Sequence, residues 1–176
     1  NEEIITKSFM QSVTKDSKFT LSVIPKFKST TPLVVDIQTD GDYCATHLCL
    51  EIGRLAEFEL VTVIRGECKW FGLMRTGLTG EGSVCNDVLV NKLSKGVTLR
   101  VESISIPRDS QFKSGTVSSG STLTKADLRY RMFGPGASLN VLGSILSAGG
   151  MSLDHHIEIY HDSPETFSRL DWNSAC

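Results

Sequence analysis

The sequence predicts an all-β domain, an eight-stranded antiparallel sandwich or barrel with one or two short helices. Several short segments alternate apolar and polar residues with a period of two, as half-buried strands do. Stretches rich in glycine and serine separate these segments, as turns and loops do. Strands and helices do not alternate along the chain, which argues against a parallel sheet built from strand–helix–strand units.

The composition is that of one globular domain without a strong electrostatic preference. The chain has 176 residues, with 18 basic and 20 acidic side chains, and 40% of its residues are hydrophobic. This length fits a single core, and the near balance of charge gives little attraction for a polyanion. No apolar run reaches the roughly 18 to 20 residues of a membrane span, and no signal-peptide pattern opens the chain. We therefore expect a soluble protein with no membrane partner.

The cysteines predict reduced thiols and not a disulfide framework. They are odd in number and form no C-x-x-C pair, which fits an intracellular protein. Their positions are Cys44, Cys49, Cys68, Cys85 and Cys176. The chain begins at Asn1 and not at methionine, from which we expect release from a longer precursor.

The first part of the chain predicts an arm, two strands and a helix. Residues 1–17 show no sustained period and are interpreted as an N-terminal arm. Alternating apolar residues then predict a strand through Phe19, Leu21 and Val23, and a second through Leu33, Val35 and Ile37. In "THLCLEIGRLAEF" the residues Leu48, Ile52 and Leu55 are spaced i, i+4, i+7, which predicts a short amphipathic helix.

The middle of the chain predicts strands that bend. The segment "FELVTVIRGECKWFGLMRT" indicates one strand or a pair, bent at Gly66 and Gly72. In "GVTLRVESISIP" the apolar alternation changes phase between Leu99 and Val101 on one side and Ile104 and Ile106 on the other. A β-bulge or a strand bend would produce that change.

Two long loops and three closing strands complete the prediction. Residues 76–87 are glycine-rich, and residues 107–125 are polar and long for a connection, so both are predicted to be exposed loops. The segments "DLRYRMF", "ASLNVLGSIL" and "SLDHHIEIYH" predict the last strands. The domain is accordingly placed at residues 18–165, with residues 166–176 as a C-terminal tail.

The histidines of the last predicted strand invite comparison with a metal site. On a strand, Asp154, His156, Glu158 and Tyr160 share one face, while His155 lies on the other with Leu153, Ile157, Ile159 and His161. A cupin-type site needs alternating histidines and a further one on a later strand. The only other histidine, His47, falls on the predicted helix, so we expect no metal and no cofactor.

No catalytic motif has the spacing that its chemistry requires. "GTVSSGS" is not a nucleophile elbow, and "TGLTGEGS" lacks the lysine of a phosphate-binding loop. "FGPGASLNVLG" lacks dinucleotide-binding spacing, and Cys68 and Cys85 are predicted to be small buried hydrophobes and not nucleophiles. The basic residues Lys125, Arg129 and Arg131 beside Tyr130 are interpreted as a solvated strand face. We expect no catalytic residues and no enzyme.

The order of elements resembles the jelly-roll capsid domain of picorna-like viruses. The similarity covers roughly residues 18–165, through "THLCLEIGRLAEF", "FELVTVIRG", "GVTLRVESISIPRDSQF" and the final pair of strands. The size and the first residue are similar to those of capsid subunits cut from the polyproteins of plant secoviruses, such as those of the cheravirus type.

This resemblance implies a structural coat protein of an icosahedral RNA virus. Its partners would be other capsid subunits in a hetero-oligomeric shell, with genomic RNA contacted only weakly or indirectly. Its location would be the virion, assembled in the host cytoplasm, with the N-terminal arm lying under neighbouring subunits. The alternatives are a viral movement protein and a lectin-like or cupin-like β-sandwich that binds a ligand.

Overall fold

The computed structural model describes residues 18–147 and 149–175, which form a two-sided parallel β-solenoid. Each coil contributes one strand to each of two six-stranded sheets, and the inner faces of the two sheets pack together. The strands are β1 (Lys18–Val23), β2 (Leu33–Thr39), β3 (Tyr43–Ile52), β4 (Glu57–Gly66), β5 (Trp70–Leu78), β6 (Val84–Leu93), β7 (Val97–Ile106), β8 (Gln111–Ser118), β9 (Leu123–Met132), β10 (Ser138–Leu146), β11 (Ser152–His161) and β12 (Phe167–Ala175).

The strands alternate strictly between the two sheets. The odd-numbered strands form sheet A in the order β1-β3-β5-β7-β9-β11, and the even-numbered strands form sheet B in the order β2-β4-β6-β8-β10-β12. Every strand pairing is parallel. Along sheet B the repeat is visible in Val61, which pairs with Val88, which in turn pairs with Gly115. One coil of this sheet thus takes 27 residues.

A repeated turn closes each coil where the chain passes from sheet A to sheet B. One residue in each of these turns has a positive φ, between 54° and 73°. These residues are Lys26, Leu55, Gly82, Asp109, Gly136 and Glu165. The turns also stack closely, because a Cβ at Gly80 would lie 2.3 Å from the carbonyl carbon of Gly53 in the coil below. A side chain there would push the coils apart.

The interior is apolar near the turns that lead from sheet A to sheet B. Toward the middle of the strands it contains both apolar and polar side chains. One buried cluster joins the inner faces of most coils, with Phe58, Phe112 and Leu139 among its members. A second, smaller cluster lies around Ile64 and Phe71. Polar and charged side chains occupy the space between these clusters.

The predicted antiparallel jelly roll is wrong, since the sheets are parallel throughout. Alternation with a period of two reveals which residues face a core, but it is the same for parallel and antiparallel strands. The repeat of about 27 residues is not visible in the sequence. Equivalent positions of successive coils share a turn conformation and an inward or outward side-chain direction, but they do not share a residue type. Only two of the six positive-φ residues in the turns from sheet A to sheet B are glycines, so the repeated turn has little signature in the sequence.

The predicted helix is wrong as well. Its residues belong to β3 and the following turn, and Leu48, Leu50 and Ile52 alternate inward along the strand. Leu55, counted as part of the helical face, lies in the turn with a φ of 55° and half of its surface exposed. The helical spacing arose because the inward residues of a strand and one residue of the next turn happened to fit i, i+4, i+7.

The predicted bulge and the long polar loop also require correction. β7 runs without a phase change: Arg100, Glu102, Ile104 and Ile106 all face inward, while Leu99 and Val101 do not. The apparent slip marks the point where the inward residues change from charged to aliphatic. Residues 107–125 contain β8 and the beginning of β9, whose serines and threonines line the interior.

The ends of the chain fall as follows. The predicted arm, residues 1–17, lies outside the described residues. The segment predicted as a tail contains β12, which pairs with β10 along its length. Within residues 18–147 and 149–175, no helix has the length and apolar character needed to cross a membrane.

Candidate functional site

A network of four charged side chains lies in the interior, between the two sheets. Arg75 on β5 faces Asp87 on β6, with Nη2 2.8 Å from Oδ2, and its Nη1 is 3.1 Å from Glu102 Oε2 on β7. Arg100 contacts the same Glu102 oxygen through Nη2 at 2.6 Å. All four side chains are essentially inaccessible to solvent. Two cations and two anions therefore neutralise each other within the core.

Hydroxyl groups extend this network across the interior. Tyr130 on β9 donates a hydrogen bond from its hydroxyl to Glu102 Oε1 at 3.1 Å, and that hydroxyl lies 2.7 Å from Ser114 Oγ on β8. Arg100 Nη1 donates to Thr116 Oγ1 at 2.9 Å. The network thus links both sheets over three successive coils.

The two carboxyl groups respond differently to burial. Burial raises the pKa of Asp87, and the opposing influence of Arg75 does not overcome it. Burial also opposes ionisation of Glu102, but Arg100 and Arg75 together hold its pKa below the usual value. Burial disfavours the charge on Arg75, yet Asp87 and Glu102 outweigh burial and raise its pKa. Glu102 is therefore the anion at the centre of the network, and Asp87 is the group closer to accepting a proton.

Some polar atoms of this region have no partner within the described part of the chain. Asp87 Oδ1 and Arg75 Nε are buried and make no hydrogen bond there, and neither do the hydroxyls of Ser118 and Thr124. Such groups cost free energy unless a small polar molecule satisfies them. A cavity of about 10 Å³ borders Ser118, Thr124 and Arg100, which is about the space of one water molecule.

His155 closes this cavity from the last coil. Its ring lies 5.2 Å from the Trp172 ring, centroid to centroid. Burial, with a further contribution from Arg100, lowers the pKa of His155 to about 4, so the ring is neutral at pH 7. Trp172 itself fits only because Gly143 has no side chain, since a Cβ there would lie 2.3 Å from the indole. His155 therefore belongs to the interior, as its predicted strand face implied.

His156 and Glu158 lie on the opposite, outer face of β11, as the alternation predicts. His156 Nδ1 is 3.6 Å from Asp127 Oδ1, and its Nε2 is 3.9 Å from Glu158 Oε1. Arg129 bonds to both carboxylates, at 3.1 Å to Asp127 and 2.8 Å to Glu158. The guanidinium thus takes the place that a cation would need. Over the described residues, no three histidine, cysteine or acidic side chains are grouped as metal ligands.

The other residues considered from the sequence are dispersed. His47 lies on β3 and not on a helix, with Nε2 2.8 Å from Thr76 Oγ1. The basic side chains near Tyr130 point outward, where Lys125 pairs with Asp154 and Arg131 with Asp162, while Tyr130 points inward. This separation confirms that the basic residues form a strand face.

The cysteines of the described chain are free thiols. Cys85 lies inside the solenoid, where burial raises its pKa, with a further contribution from Asp87. Cys68 is also buried, and its Sγ lies 3.0 Å from the Trp70 carbonyl oxygen. Both thiols are buried, so neither is placed to meet a substrate from solution.

The interior network was missed at the level of sequence. Arg75, Asp87, Arg100 and Glu102 each sit on the inward phase of a strand, but charged residues are ordinarily assigned to the outside. The signal lay in the strand "TLRVESISI", in which charged residues share a phase with Ile104 and Ile106.

Comparison with known protein families decides what kind of solenoid this is. Residues 35–176 match the family model of the SUF system FeS cluster assembly, SufBD core domain. The chain belongs to this family. The match begins in β2 and continues through all later coils. No curated protein and no solved structure matches this chain significantly.

The family assignment overturns the resemblance to viral capsid proteins. SUF proteins are cellular and act in iron–sulfur cluster assembly, so the expected shell partners, genomic RNA and virion location are wrong. The movement-protein and lectin-like or cupin-like alternatives receive no support either. The resemblance failed because it rested on element order and strand phase, and the true strand direction removes both the sandwich and the antiparallel final pair.

Proposed function

We propose that this chain is a non-catalytic scaffold subunit in the assembly of iron–sulfur clusters. The observation that carries the proposal is the family match over residues 35–176, which includes every coil from β2 onward. In this role the cluster is cargo that the complex builds and passes on. The chain contributes shape and rigidity, and no reaction of its own.

The rigidity has a structural basis in the charged network. A buried salt bridge offsets its desolvation cost only when the geometry is well defined and the remaining polar groups are bonded. Glu102 meets this condition, because both of its carboxylate oxygens accept hydrogen bonds. With Arg75 and Tyr130 it joins β5, β7 and β9 through side-chain contacts that supplement the backbone ladder. A frame of this kind holds its surfaces in fixed positions for other subunits.

In this proposal, the iron–sulfur cluster is bound at a site that the chain shares with other subunits. Among the described residues, His156, Asp127 and Glu158 lie near one another on the outer face of β11, but Arg129 pairs with both carboxylates. The scaffold proposal therefore assigns no self-contained cluster site to this chain.

A genetic and biochemical experiment tests the proposal. Deletion of the gene in the source organism is expected to lower the activity of iron–sulfur enzymes relative to enzymes without clusters, and the intact chain is expected to restore it. Affinity purification of the tagged full chain is expected to recover other SUF proteins. Unchanged iron–sulfur enzyme activity together with recovery of no SUF protein would contradict the proposed role.

A second experiment tests whether the chain is non-catalytic. The Arg75→Met variant alters the interior network, and Arg65→Met alters an exposed pair with Asp36 as a matched control. If the chain is a scaffold, complementation should follow the amount of folded protein in both variants. A folded variant at normal abundance with no complementation would indicate a chemical role for the interior instead.

A further inference from the structure

Three side chains with nitrogen or sulfur donor atoms lie together on the outer face of sheet A. His47 and Cys49 are two residues apart on β3, and Met74 on β5 is paired directly with His47. All three belong to the outward phase of their strands and are partly exposed. An imidazole, a thiol and a thioether are therefore accessible from solution at one place on the sheet.

We propose that His47, Cys49 and Met74 bind one monovalent soft metal ion, of the class of Cu(I) and Ag(I). The donors are an imidazole nitrogen, the thiolate sulfur of Cys49 and the thioether sulfur of Met74. Only two of these donors come from histidine or cysteine, and the third comes from methionine. The inference is independent of the role in cluster assembly, because an iron–sulfur cluster is usually held by several thiolates and this set contains one.

The strand register brings the three donors within reach of one ion. Paired residues of neighbouring strands are about 4.8 Å apart, so the side chains of His47 and Met74 begin next to each other. Cys49 is about 6.6 Å along the strand from His47 and is diagonal to Met74, a separation that long side chains can span. The unbranched side chain of Met74 is flexible enough to direct its sulfur toward Cys49.

Thr76 orients the imidazole of His47. His47 Nε2 lies 2.8 Å from Thr76 Oγ1, and Thr76 is the residue that pairs with Cys49. The ring therefore leans along the strand from Met74 toward Cys49. In the proposed site Nε2–H donates to Thr76 Oγ1, so that Nδ1 carries the lone pair that binds the ion. Histidines that bind metals usually have their second ring nitrogen held by such a hydrogen bond.

The donors and the local charge favour a soft monovalent ion over a divalent one. Thiolate and thioether sulfurs suit Cu(I), whereas zinc sites use cysteine, histidine and carboxylate ligands. The acidic neighbour on this face of β3, Glu51, accepts a hydrogen bond from Ser22 at 2.9 Å. Lys18 is paired with His47 in the register and adds a positive charge, which repels a divalent ion more strongly than a monovalent one.

Binding requires the Cys49 thiol to lose its proton. The metal ion takes the place of that proton on the sulfur, and the proton passes to the solvent. The metal keeps its oxidation state, and no electron is transferred. The thiolate and a monovalent ion are together neutral, so the site gains no net charge beside Lys18.

Anaerobic competition between the full chain and the chromophoric Cu(I) chelator bicinchoninate tests the proposal. Cys49→Ser and Met74→Leu should each raise the Cu(I) dissociation constant by more than about 100-fold, because loss of a ligand costs more than loss of its hydrogen-bond partner. The matched control is Cys44→Ser, which removes an inward-facing thiol of the same strand and should leave the constant unchanged. Circular dichroism must first show that the three variants fold. A constant that Cys44→Ser raises as much as Cys49→Ser, or that Met74→Leu leaves unchanged, would overturn the proposal.

The positioning role of Thr76 is tested in the same assay. Thr76→Val removes the hydroxyl that orients His47 and should raise the dissociation constant by about 10- to 100-fold. Thr76→Ser keeps the hydroxyl and should bind Cu(I) as the unmodified chain does. Equal binding by the valine and serine variants would contradict the role assigned to Thr76.

X-ray absorption identifies the donor atoms in the unmodified chain, so it does not depend on the folding of any variant. With one equivalent of Cu(I), two sulfur neighbours and one nitrogen neighbour are expected. Coordination by sulfur alone would overturn the proposal, since it would show that the ion is gathered by other thiols. Binding of Fe(II) or Zn(II) that Met74→Leu abolishes would overturn the assignment to a monovalent ion.

Discussion

Replacement of Arg75 by methionine should destabilise the solenoid severely, because it leaves a buried carboxylate without its cation. The Arg75 side chain is fully buried and pairs with Asp87 at 2.8 Å and with Glu102 at 3.1 Å. In the variant, Glu102 still forms its ion pair with Arg100, whereas Asp87 loses its ion pair with Arg75. Removing one member of a buried ion pair typically costs about 3–5 kcal/mol. That is a large part of the about 5–15 kcal/mol by which a domain is stable.

A double-mutant cycle separates the pair from the packing of the arginine stem. Asp87→Asn combined with Arg75→Met removes both charges, and we expect it to recover about 2 kcal/mol relative to the sum of the single variants. Urea unfolding is followed by the fluorescence of Trp70 and Trp172 and by circular dichroism. The control is Arg65→Met, whose partner Asp36 is on the surface, and its cost should be at most about 1 kcal/mol.

The result that would refute this reasoning is additivity. If the two single variants sum to the double variant within about 0.5 kcal/mol, Arg75 and Asp87 do not interact in the folded protein. A cost for Arg75→Met no greater than that for Arg65→Met would equally contradict a buried network.

Three further predictions concern the last coils and the interior. Gly143→Ala should lower the free energy of unfolding by about 3 kcal/mol or more, since its Cβ would lie 2.3 Å from the Trp172 ring. The emission of Trp172 should move to longer wavelength at urea concentrations below the global transition. An unshifted urea midpoint would contradict that contact. The pKa of His155 is about 4 in the folded state and near 6.5 when unfolded, so the unfolded chain binds more protons between these values and stability should fall as the pH drops through that window. The loss should be about 2 kcal/mol after solvent screening is allowed for, and His155→Gln should flatten the pH dependence of the urea midpoint, whereas an unchanged slope would argue against a neutral buried ring. Cys85 should react with iodoacetamide only in urea because burial keeps its thiol protonated and inaccessible, and rapid modification in native buffer would show that the interior is open.

The sequence predicts the strands better than it predicts their arrangement. The inward residues of β1 and β2, including Leu21, Val23 and Val35, follow the predicted alternation. The two faces of β11 are also as predicted, with His155 inside and His156 outside. These successes depend on local period, which is a property of a single strand.

The arrangement depends on partners 27 residues away, and nothing local encodes strand direction. A turn that has Leu55 in one coil and Asp109 in another repeats its backbone conformation without repeating a residue type. The candidate site was missed for a related reason. Arg75 and Glu102 are stabilised by each other, so their burial becomes understandable only when the coils are stacked in register.

The central claim is that parallel coils, spaced by 27 residues along sheet B, build this member of the SufBD core family. Nuclear Overhauser effects between backbone amide protons of the isotopically labelled chain test it most directly. The solenoid predicts contacts that advance together, between Val61 and Val88, between Val63 and Val90, and between Val88 and Gly115. A set of contacts in which one residue number rises while the other falls would show antiparallel strands and would contradict both the fold and the interior network.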